Sequence, residues 1–338
     1  MMRTVLAPLV GAAVGLVVGA LIIAASGADP LAAYAALARG ALGGPRPLTE
    51  TVLKATPLVI MGLGLVVAFR CRIWNIGGEG QYFAGALAGA VVGLLGQASL
   101  PASLLVPLML LAGLAGGALW AALAAWLRLA FGVNEIIATI MLNFVALYTV
   151  SYLARGPLRD PMGYLPQSAR LEGVARLPTL PGSRIHLGVL IALMLVPAIY
   201  VLLWKTTAGF RLRAIGSSAR VALATGINVR VGVALAFLTS GALAGLTGII
   251  EVSTLHARLK DGISGDYGFT GILVALLGRL HPVGVLLAGV FFAILTIGTQ
   301  SMHSGLGLPI ALSQVLQVVV ILVVLVVDAL ARRWWPGR

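Results

Sequence analysis

Long apolar segments alternate with short polar ones along the whole chain. Ten of these segments have the length and composition of membrane-spanning helices. They comprise residues 5–25, 51–69, 76–95, 104–127, 136–153, 187–204, 231–250, 268–280, 283–299 and 310–327. The pattern predicts an all-α, polytopic membrane protein of about ten transmembrane helices, with residues 1–338 forming a single transmembrane domain.

Two of the segments leave alternatives open. Residues 268–280 give only about 20 Å of helix against about 30 Å of hydrocarbon, so this helix either begins as early as Ile263 or does not cross the bilayer. The first segment follows Met1-Met-Arg-Thr and could end as a signal peptide near Ser26. Its apolar core of about 20 residues is longer than the ~7–15 of cleaved signals, which favours an uncleaved first helix.

Glycines recur four positions apart on three of the segments. This spacing places them along one helix face, where a neighbouring backbone can approach closely. The rows are Gly11, Gly15 and Gly19, then Gly85, Gly89 and Gly93, and finally Gly241 and Gly245. We expect these rows to pack helices within the bundle rather than to form a dimer interface.

Positive charge is concentrated in the loop formed by residues 205–230. This loop carries five basic residues and no acidic one, which predicts a cytoplasmic location and places residues 154–186 on the outer side. The net charge of +13 is spread between apolar segments rather than collected on a basic domain, so nucleic acid is not expected as a partner. Anionic lipid headgroups or an acidic protein are the expected counter-charges.

One short pattern occurs twice, each time before a stretch rich in glycine and alanine. Gly78-Glu-Gly-Gln-Tyr82 and Gly265-Asp-Tyr-Gly-Phe269 share a glycine, an acidic residue and an aromatic residue at the same spacing. The ten-segment topology places the first helix start at the cytoplasmic side and the second at the outside. Two inverted five-helix repeats are therefore predicted, an arrangement found in many transporters.

Polar side chains cluster at the first of these helix starts. Asn75 can accept hydrogen bonds from the free amides of the helix, and Glu79 in the first turn faces the positive end of its dipole. Polar residues at membrane depth also mark solute paths, so Asn75, Glu79 and Gln81 are candidates for such a path. For Glu79 the alternatives are pairing between helices, with Arg70 or Arg72, and contact with solute.

A second polar group lies at the start of the segment 136–153. Asn134 is expected to cap that helix. Thr139 and Asn143 are four residues apart and share one face, which either joins helices or lines the path. Together with Asp266 at the second repeated start, they complete the predicted solute path.

The basic loop contains a short predicted helix. Ser218 can cap residues 219–225, and Gly226 would end them. Such a helix fits a groove in another protein or lies on the lipid surface, and its small apolar face favours the protein partner. The sequence has no phosphate-binding loop, hydrolase motif or paired metal-ligand spacing, so neither catalytic nor metal-binding residues are predicted.

Four stretches together resemble the permease subunits of bacterial ABC importers for nucleosides and simple sugars, the ribose-permease-like class of the branched-chain amino acid and ribose permease superfamily. The stretches are Asn75-Ile-Gly-Gly-Glu-Gly-Gln81, Glu135-Ile-Ile-Ala-Thr-Ile-Met-Leu-Asn143, Gly156-Pro-Leu-Arg-Asp-Pro161 and residues 209–227, in the family's order. The longer loop that holds residues 156–161 is more similar to the nucleoside branch than to the sugar branch. One departure is Ser218-Ala219, where the family usually has Asn-Pro.

The resemblance implies a multi-pass permease of the bacterial cytoplasmic membrane that imports nucleosides or related simple sugars and holds no cofactor itself. Its implied partners are a second permease subunit in a heterodimer, a cytoplasmic ATPase whose two nucleotide-binding halves hold the ATP, and an extracytoplasmic substrate-binding lipoprotein. The implied coupling loop to the ATPase contains Arg211, Arg213, Gly216, Ser218, Arg220 and Gly226.

A proton-coupled secondary carrier for a small polar solute is the alternative function, with Glu79 and Glu135 as proton sites. It requires no protein at residues 209–227, and exchange of Glu79 for glutamine would abolish its coupled transport. A membrane scaffold or receptor without transport is a third interpretation, against which the polar residues at the helix starts argue.

Overall fold

The computed structural model describes residues 2–334, so Met1 and residues 335–338 of the predicted domain lie outside the described residues. A helix corresponds to each of the ten predicted segments, and the all-α prediction is confirmed. In chain order the helices are α1 Met2–Ala25, α2 Pro30–Leu42, α3 Pro45–Arg70, α4 Gly78–Gly96, α5 Ala102–Phe131, α6 Glu135–Arg155, α7 Leu187–Lys205, α8 Thr207–Ser217, α9 Ala219–Ala224, α10 Val229–Glu251, α11 Tyr267–Leu277, α12 Pro282–Leu306 and α13 Ile310–Trp334. A 3-10 turn, Gly173–Ala175, follows α6, and a π-helical turn, Val252–His256, continues α10.

Among the described residues, six helices are long and apolar enough to cross a membrane. They are Pro45–Arg70, Ala102–Phe131, Glu135–Arg155, Leu187–Lys205, Val229–His256 and Pro282–Leu306. Helix α11 has 11 residues, a length of about 16 Å, which is too short to cross the hydrocarbon by itself. The number of ten crossings therefore stays a prediction.

Two short helices that were not predicted, α2 and α8, lie between the predicted segments. Helix α2 follows Asp29, whose carboxylate accepts a hydrogen bond of 2.8 Å from the first turn. Helix α8 occupies the first half of the basic loop and is capped by the hydroxyl of Thr206. The expected helix after Ser218 is confirmed as α9, with the Ser218 hydroxyl accepting a hydrogen bond from its first turn. Gly226 follows α9 with a positive φ of 82°, as a terminating glycine does.

The chain forms two compact units. The first comprises the described residues of Met1–Ala55 and Val290–Arg338. In it, the glycine row of α1 faces α13, because a Cβ at Gly11 would lie 2.9 Å from the Cα of Val324. The predicted packing within the bundle is confirmed for this row. A small core beside it contains Ile23, Ala33, Met302, Leu308 and Leu316.

The second unit, Thr56–Gly289, has α4, α5 and α10 at its centre. A Cβ at Gly85 of α4 would lie 2.1 Å from the Cα of Gly245 on α10, which only glycine permits. A Cβ at Gly117 of α5 would lie equally close, 2.1 Å, to the carbonyl oxygen of Gly241. The two remaining glycine rows therefore also pack helices within the molecule.

The two repeated helix starts meet inside this second unit. The amide of Gly268, in the first turn of α11, donates a hydrogen bond of 2.8 Å to the carboxylate of Glu79 in the first turn of α4. The prediction that one start lies at the cytoplasmic side and the other at the outside is therefore wrong. The reason is that residues 71–77 and 257–266 are not helical, and each segment leads its helix start into the interior.

From this meeting point the two helices run in opposite directions. Helix α4 runs toward the loop of residues 156–186, where Gly93 faces the side chain of Leu171. Helix α11 runs toward the basic loop, where the carbonyl of Leu280 accepts a hydrogen bond of 2.9 Å from Arg70 at the end of α3. Opposite directions from a shared centre are the arrangement that inverted repeats produce.

Candidate functional site

The start of α4 is fixed by a buried network of neutral side chains. Asn75 and Gln81 are 0% and 1% exposed, and their amides exchange two hydrogen bonds of 3.0 Å each. Asn75 also donates to the hydroxyl of Ser240 on α10 at 2.9 Å and accepts from the amide of Gly77 at 3.0 Å. The helix begins at Gly78, so Asn75 closes a turn before the helix instead of capping it as predicted.

Helix α6 holds the same start from the other side. The hydroxyl of Thr139 accepts from the amide of Ile76 at 3.3 Å. Asn143 donates to the carbonyl of Ile76 at 2.9 Å and accepts from the amide of Gly80 at 2.8 Å. Asn143 thus satisfies a free amide in the first turn of α4 from a different helix. Asn134 caps α6 itself, as predicted.

The start of α11 is held differently. Its principal anchor is Glu79, which pairs with the Gly268 amide rather than with Arg70 or Arg72, because the two helix starts approach closely there. A Cβ at Gly268 would lie 2.3 Å from the backbone nitrogen of Glu79. Asp266, just before the helix, has a left-handed backbone with φ of 62° and no capping bond from its side chain.

A cavity of about 560 Å³ opens beside the meeting helix starts. Three carboxylates, one arginine, four aromatic rings and an amide contribute to its wall. The lining side chains are Glu79, Phe83, Ile140, Asn143, Phe144, Leu147, Tyr148, Ser151, Arg155, Asp261, Ser264, Asp266 and Phe269, with Gly262 and Gly265. The cavity thus combines apolar surface with convergent polar groups, as small-molecule sites do.

The cavity divides the predicted path residues into two groups. Glu79, Asn143 and Asp266 line it, whereas Asn75, Gln81 and Thr139 are not among its lining residues. The aromatic residues of the wall were not predicted. On α6, Ile140, Phe144 and Tyr148 recur at helical spacing on the face of Asn143. This spacing could have identified the two aromatic residues among them.

The loop of residues 156–186 is tied to the segment that precedes α11. Asp160 in the loop forms an ion pair of 2.5 Å with Arg258, and this contact holds the pKa of Asp160 below its usual range. Asp261 forms an ion pair with Arg155 at the end of α6. Because Asp261 and Arg155 also line the cavity, their ion pair forms part of its wall.

At the other end of the unit, α8 of the basic loop packs against the ends of α3 and α7. A Cβ at Gly216 would lie 1.9 Å from the carbonyl oxygen of Arg70. The guanidinium of Arg213 lies 5.9 Å from the centre of the Trp204 ring. Two of the predicted coupling residues, Arg213 and Gly216, therefore face the protein itself.

The remaining surface of α8 and α9 is open. Of the predicted coupling residues, Arg211, Arg220 and Gly226 are exposed and Ser218 is half-buried. Three large apolar side chains that were not predicted join them. These are Phe210, Val221 and Leu223, with 60%, 61% and 66% exposure.

Residues 48–325 match the family described as the branched-chain amino acid transport system permease component. The chain belongs to this permease family. The permease is 40% identical to the glucose ABC transporter permease protein of Haloferax volcanii, over 93% of this chain and 85% of the relative. It is 36% identical to a guanosine ABC transporter permease protein of Bacillus subtilis, over 98% of this chain and 96% of the relative. A second guanosine ABC transporter permease protein of that organism is 28% identical, over 72% of this chain and 78% of the relative. No solved structure gives a significant match.

The family and the helices together establish what kind of protein this is. The permease is a multi-pass protein of the cytoplasmic membrane and the transport subunit of an ABC transporter, not an enzyme. The description of the family does not fix the solute, since glucose and guanosine permeases both belong among its relatives.

Proposed function

We propose that the permease imports nucleosides or related simple sugars, driven by ATP hydrolysis on a partner chain. The observation that carries this proposal is the cavity at the meeting helix starts, with its carboxylates, its amide and its aromatic rings. Its volume of about 560 Å³ is in the range of small-molecule sites. The solutes named for the relatives, guanosine and glucose, are uncharged and carry several hydroxyl groups.

The groups in the cavity suit such a solute. Carboxylates at Glu79 and Asp266 accept hydrogen bonds from hydroxyl groups, which a sugar or a ribose supplies. Phe83, Phe144 and Tyr148 offer flat apolar surface for a base or for the apolar face of a sugar ring. In this proposal a separate binding protein on the outer side supplies most of the affinity.

The partner chains in this proposal follow from one surface of the permease and from its relatives. The exposed residues of α8 and α9 combine basic and apolar side chains, a composition suited to a protein groove rather than to water. We expect a cytoplasmic ATPase with two nucleotide-binding halves to dock there. A second, related permease subunit is expected because Bacillus subtilis has two guanosine permease proteins, both similar to this chain.

Transport would follow from movement of one helix start against the other. Closure of the ATPase on ATP would displace α8 and α9, and with them the end of α3 that α8 contacts. The bond from Arg70 to the Leu280 carbonyl would carry this movement to the turn after α11. The start of α4 would stay in place because its network is neutral, buried and fully bonded. The cavity would then open alternately to the two sides of the membrane.

The test begins with purification of the permease from its native membrane in mild detergent. Mass spectrometry of the bound proteins should identify an ATPase and a second permease. The complex would be reconstituted in vesicles with its binding protein. Labelled guanosine or glucose should then be transported only when ATP is present on the side of the vesicle membrane where the ATPase lies. A proton gradient alone should have no effect.

Two outcomes would contradict the proposal. The first is a chain that purifies alone and is stable in that state. The second is uptake that follows a proton gradient without ATP and is abolished by Glu79→Gln, since this is the behaviour of the proton-coupled alternative. Glu135 forms an ion pair of 2.6 Å with Arg128 and is not among the residues that line the cavity, which argues against Glu135 as a proton site.

A further inference from the structure

A compact group of aromatic and basic side chains lies where α3, α7 and α8 meet the turn after α11. Trp204 is at its centre and stacks on Tyr200, with ring centres 5.4 Å apart and an angle of 16°. The ring of His281 lies 5.1 Å from Trp204. The guanidinium groups of Arg70 and Arg213 lie 5.1 and 5.9 Å from the centre of the same indole ring. We call these five residues the Trp204 cluster.

The members of the cluster come from every element that would have to move together. Arg213 belongs to α8, Trp204 to the end of α7, Arg70 to the end of α3, and His281 to the turn between α11 and α12. A tryptophan face that receives two cations holds them by cation–π attraction, which permits sliding better than a fixed hydrogen bond does. The cluster therefore links α8 to the end of α11 through side-chain contacts.

Helix α11 connects this cluster to the cavity. At one end, the carbonyl of Leu280 accepts the hydrogen bond from Arg70. At the other end, the amide of Gly268 donates to Glu79 in the cavity wall. A continuous helix of 11 residues separates the two contacts, and a helix of about 16 Å transmits displacement along its axis with little bending.

The turn at the end of α11 is also strained. Arg279 and Leu280 have φ values of 54° each, a left-handed conformation that is unfavourable for residues with a Cβ. Such strain persists only where the surroundings hold it, and the bond from Arg70 to the Leu280 carbonyl is one such restraint. A change in the cluster would therefore displace the end of α11 through this turn.

We infer that Trp204 is a positioning residue for transport, which keeps α8 and α11 in register so that ATPase movement reaches Glu79 and the cavity. The inference rests on the proposed function, since it assigns the movement to an ATPase docked at α8 and α9. Trp204 touches neither the exposed docking surface nor the cavity, so it acts through Arg70 and α11.

The first experiment measures ATP hydrolysed per labelled guanosine transported, in the reconstituted complex. Trp204→Ala should lower uptake by about tenfold or more while ATP hydrolysis stays within about twofold of the unaltered complex. Trp204→Phe retains a ring face and should restore most of the uptake. Trp126→Ala is the matched control, because Trp126 is exposed on α5 of the same unit and should leave both rates unchanged.

The second experiment does not depend on an ATPase. Amide hydrogen exchange of the purified permease in detergent should become about tenfold faster at the start of α11, around Gly268, in Trp204→Ala but not in Trp126→Ala. Unchanged exchange at Gly268 would overturn the inference while leaving the importer function intact. Uptake and hydrolysis that fall in parallel, with the complex still assembled, would overturn it as well.

Failure of the proposed function gives a different result. In that case the unaltered permease would bind no ATPase and show no ATP-dependent uptake. The exchange experiment would then test only the structural link between Trp204 and the start of α11.

Discussion

The two repeated helix starts are made of similar residues but are held in opposite ways. The start of α4 is bonded by neutral side chains from α6 and α10, and its network residues Asn75 and Gln81 are almost fully buried. The start of α11 follows a segment with four left-handed residues, Ala257, Gly262, Gly265 and Asp266. Its amides are bonded by the hydroxyl of Ser264, from that same segment, and by the carboxylate of Glu79 from α4. One start is built to stay in place and the other to be displaced.

The comparison explains why a membrane chain accepts so many polar residues near position 75. In hydrocarbon, an unsatisfied amide is costly, so a helix that begins inside the molecule needs partners for its free backbone groups. At α4 those partners are supplied by amide and hydroxyl side chains. At α11 they are supplied by the hydroxyl of Ser264 and by Glu79, an ionisable group that also faces the cavity, so solute and helix start share the Glu79 contact.

The largest expected effect comes from breaking the fixed start. Asn75→Ala removes the shared partner of Gln81, Ser240 and the Gly77 amide, and should lower the free energy of unfolding by about 3 kcal/mol or more. Asn134→Ala is the control, because Asn134 is an exposed helix cap and its loss should cost about 1 kcal/mol. Unfolding of both variants in mixed micelles checks the difference, and equal losses would show that the network is not exceptional.

Gly268→Ala addresses the movable start. The added Cβ would lie 2.3 Å from the Glu79 nitrogen, so α11 must shift away from α4. We expect a stability loss of about 1–3 kcal/mol but a decrease in uptake of about tenfold, because the shift deforms the cavity wall. Gly173→Ala, where the Cβ would meet no atom within 4 Å, should change neither quantity. Normal uptake in Gly268→Ala would contradict the close contact of the two starts.

Glu79→Gln tests the contact itself. The amide oxygen of glutamine can still accept from Gly268, although without charge assistance, so stability should fall by about 1 kcal/mol. ATP-driven uptake should fall by no more than about fivefold, whereas Glu79→Ala, which removes the acceptor, should reduce it much further. Equal loss in the two variants would mean that charge, and not the hydrogen bond, is what the site requires.

The smallest effect is expected at the loop of residues 156–186 and its ion pairs. Asp261→Asn removes an ion pair whose side chains are 42% and 58% exposed, and should change stability by about 0.5 kcal/mol or less. Asp160→Asn should have the larger effect of the two, because Asp160 and its partner are only 17% and 23% exposed. Thermal unfolding of both variants in detergent compares them.

The ion pair between Asp160 and Arg258 also predicts that stability depends on pH. The pKa of Asp160 is lowered by Arg258, so its contribution is present above the ordinary pKa of an aspartate and is lost as the pH falls through the lowered value. Thermal unfolding as a function of pH should therefore show a difference between Asp160→Asn and the unaltered protein that disappears in strong acid. A difference that persists there would assign the stabilisation to another contact.

Local features of this fold were predictable from the sequence, and distant contacts were not. The apolar segments, the caps at Asn134 and Ser218 and the repeated helix starts each depend on neighbouring residues, so their patterns were sufficient. Helix α2 was not predicted although Asp29 and Pro30 form a cap signal, because its 13 residues are fewer than a membrane-spanning segment needs. That Asn143 bonds the first turn of α4 depends on tertiary packing, which no local pattern contains.

The candidate site shows the same limit. Sequence reasoning identified Glu79, Asn143 and Asp266, which line the cavity, but it grouped them with Asn75 and Gln81, which lie in the buried network. Whether a polar residue near a helix start faces the cavity or the network depends on where α6 and α10 lie. The residue types alone are equally suited to both positions.

The most direct test of a fixed and a movable helix start is cysteine accessibility in the assembled transporter. The single native cysteine, Cys71, is buried and would be replaced by serine. Asp266→Cys and Ser240→Cys would then be labelled with a small charged maleimide in the presence and absence of ATP. We predict that labelling at position 266 changes with ATP while position 240 stays unlabelled in both states. Labelling of Ser240→Cys that depends on ATP would contradict the account. Labelling of Asp266→Cys that is the same with and without ATP would contradict it as well.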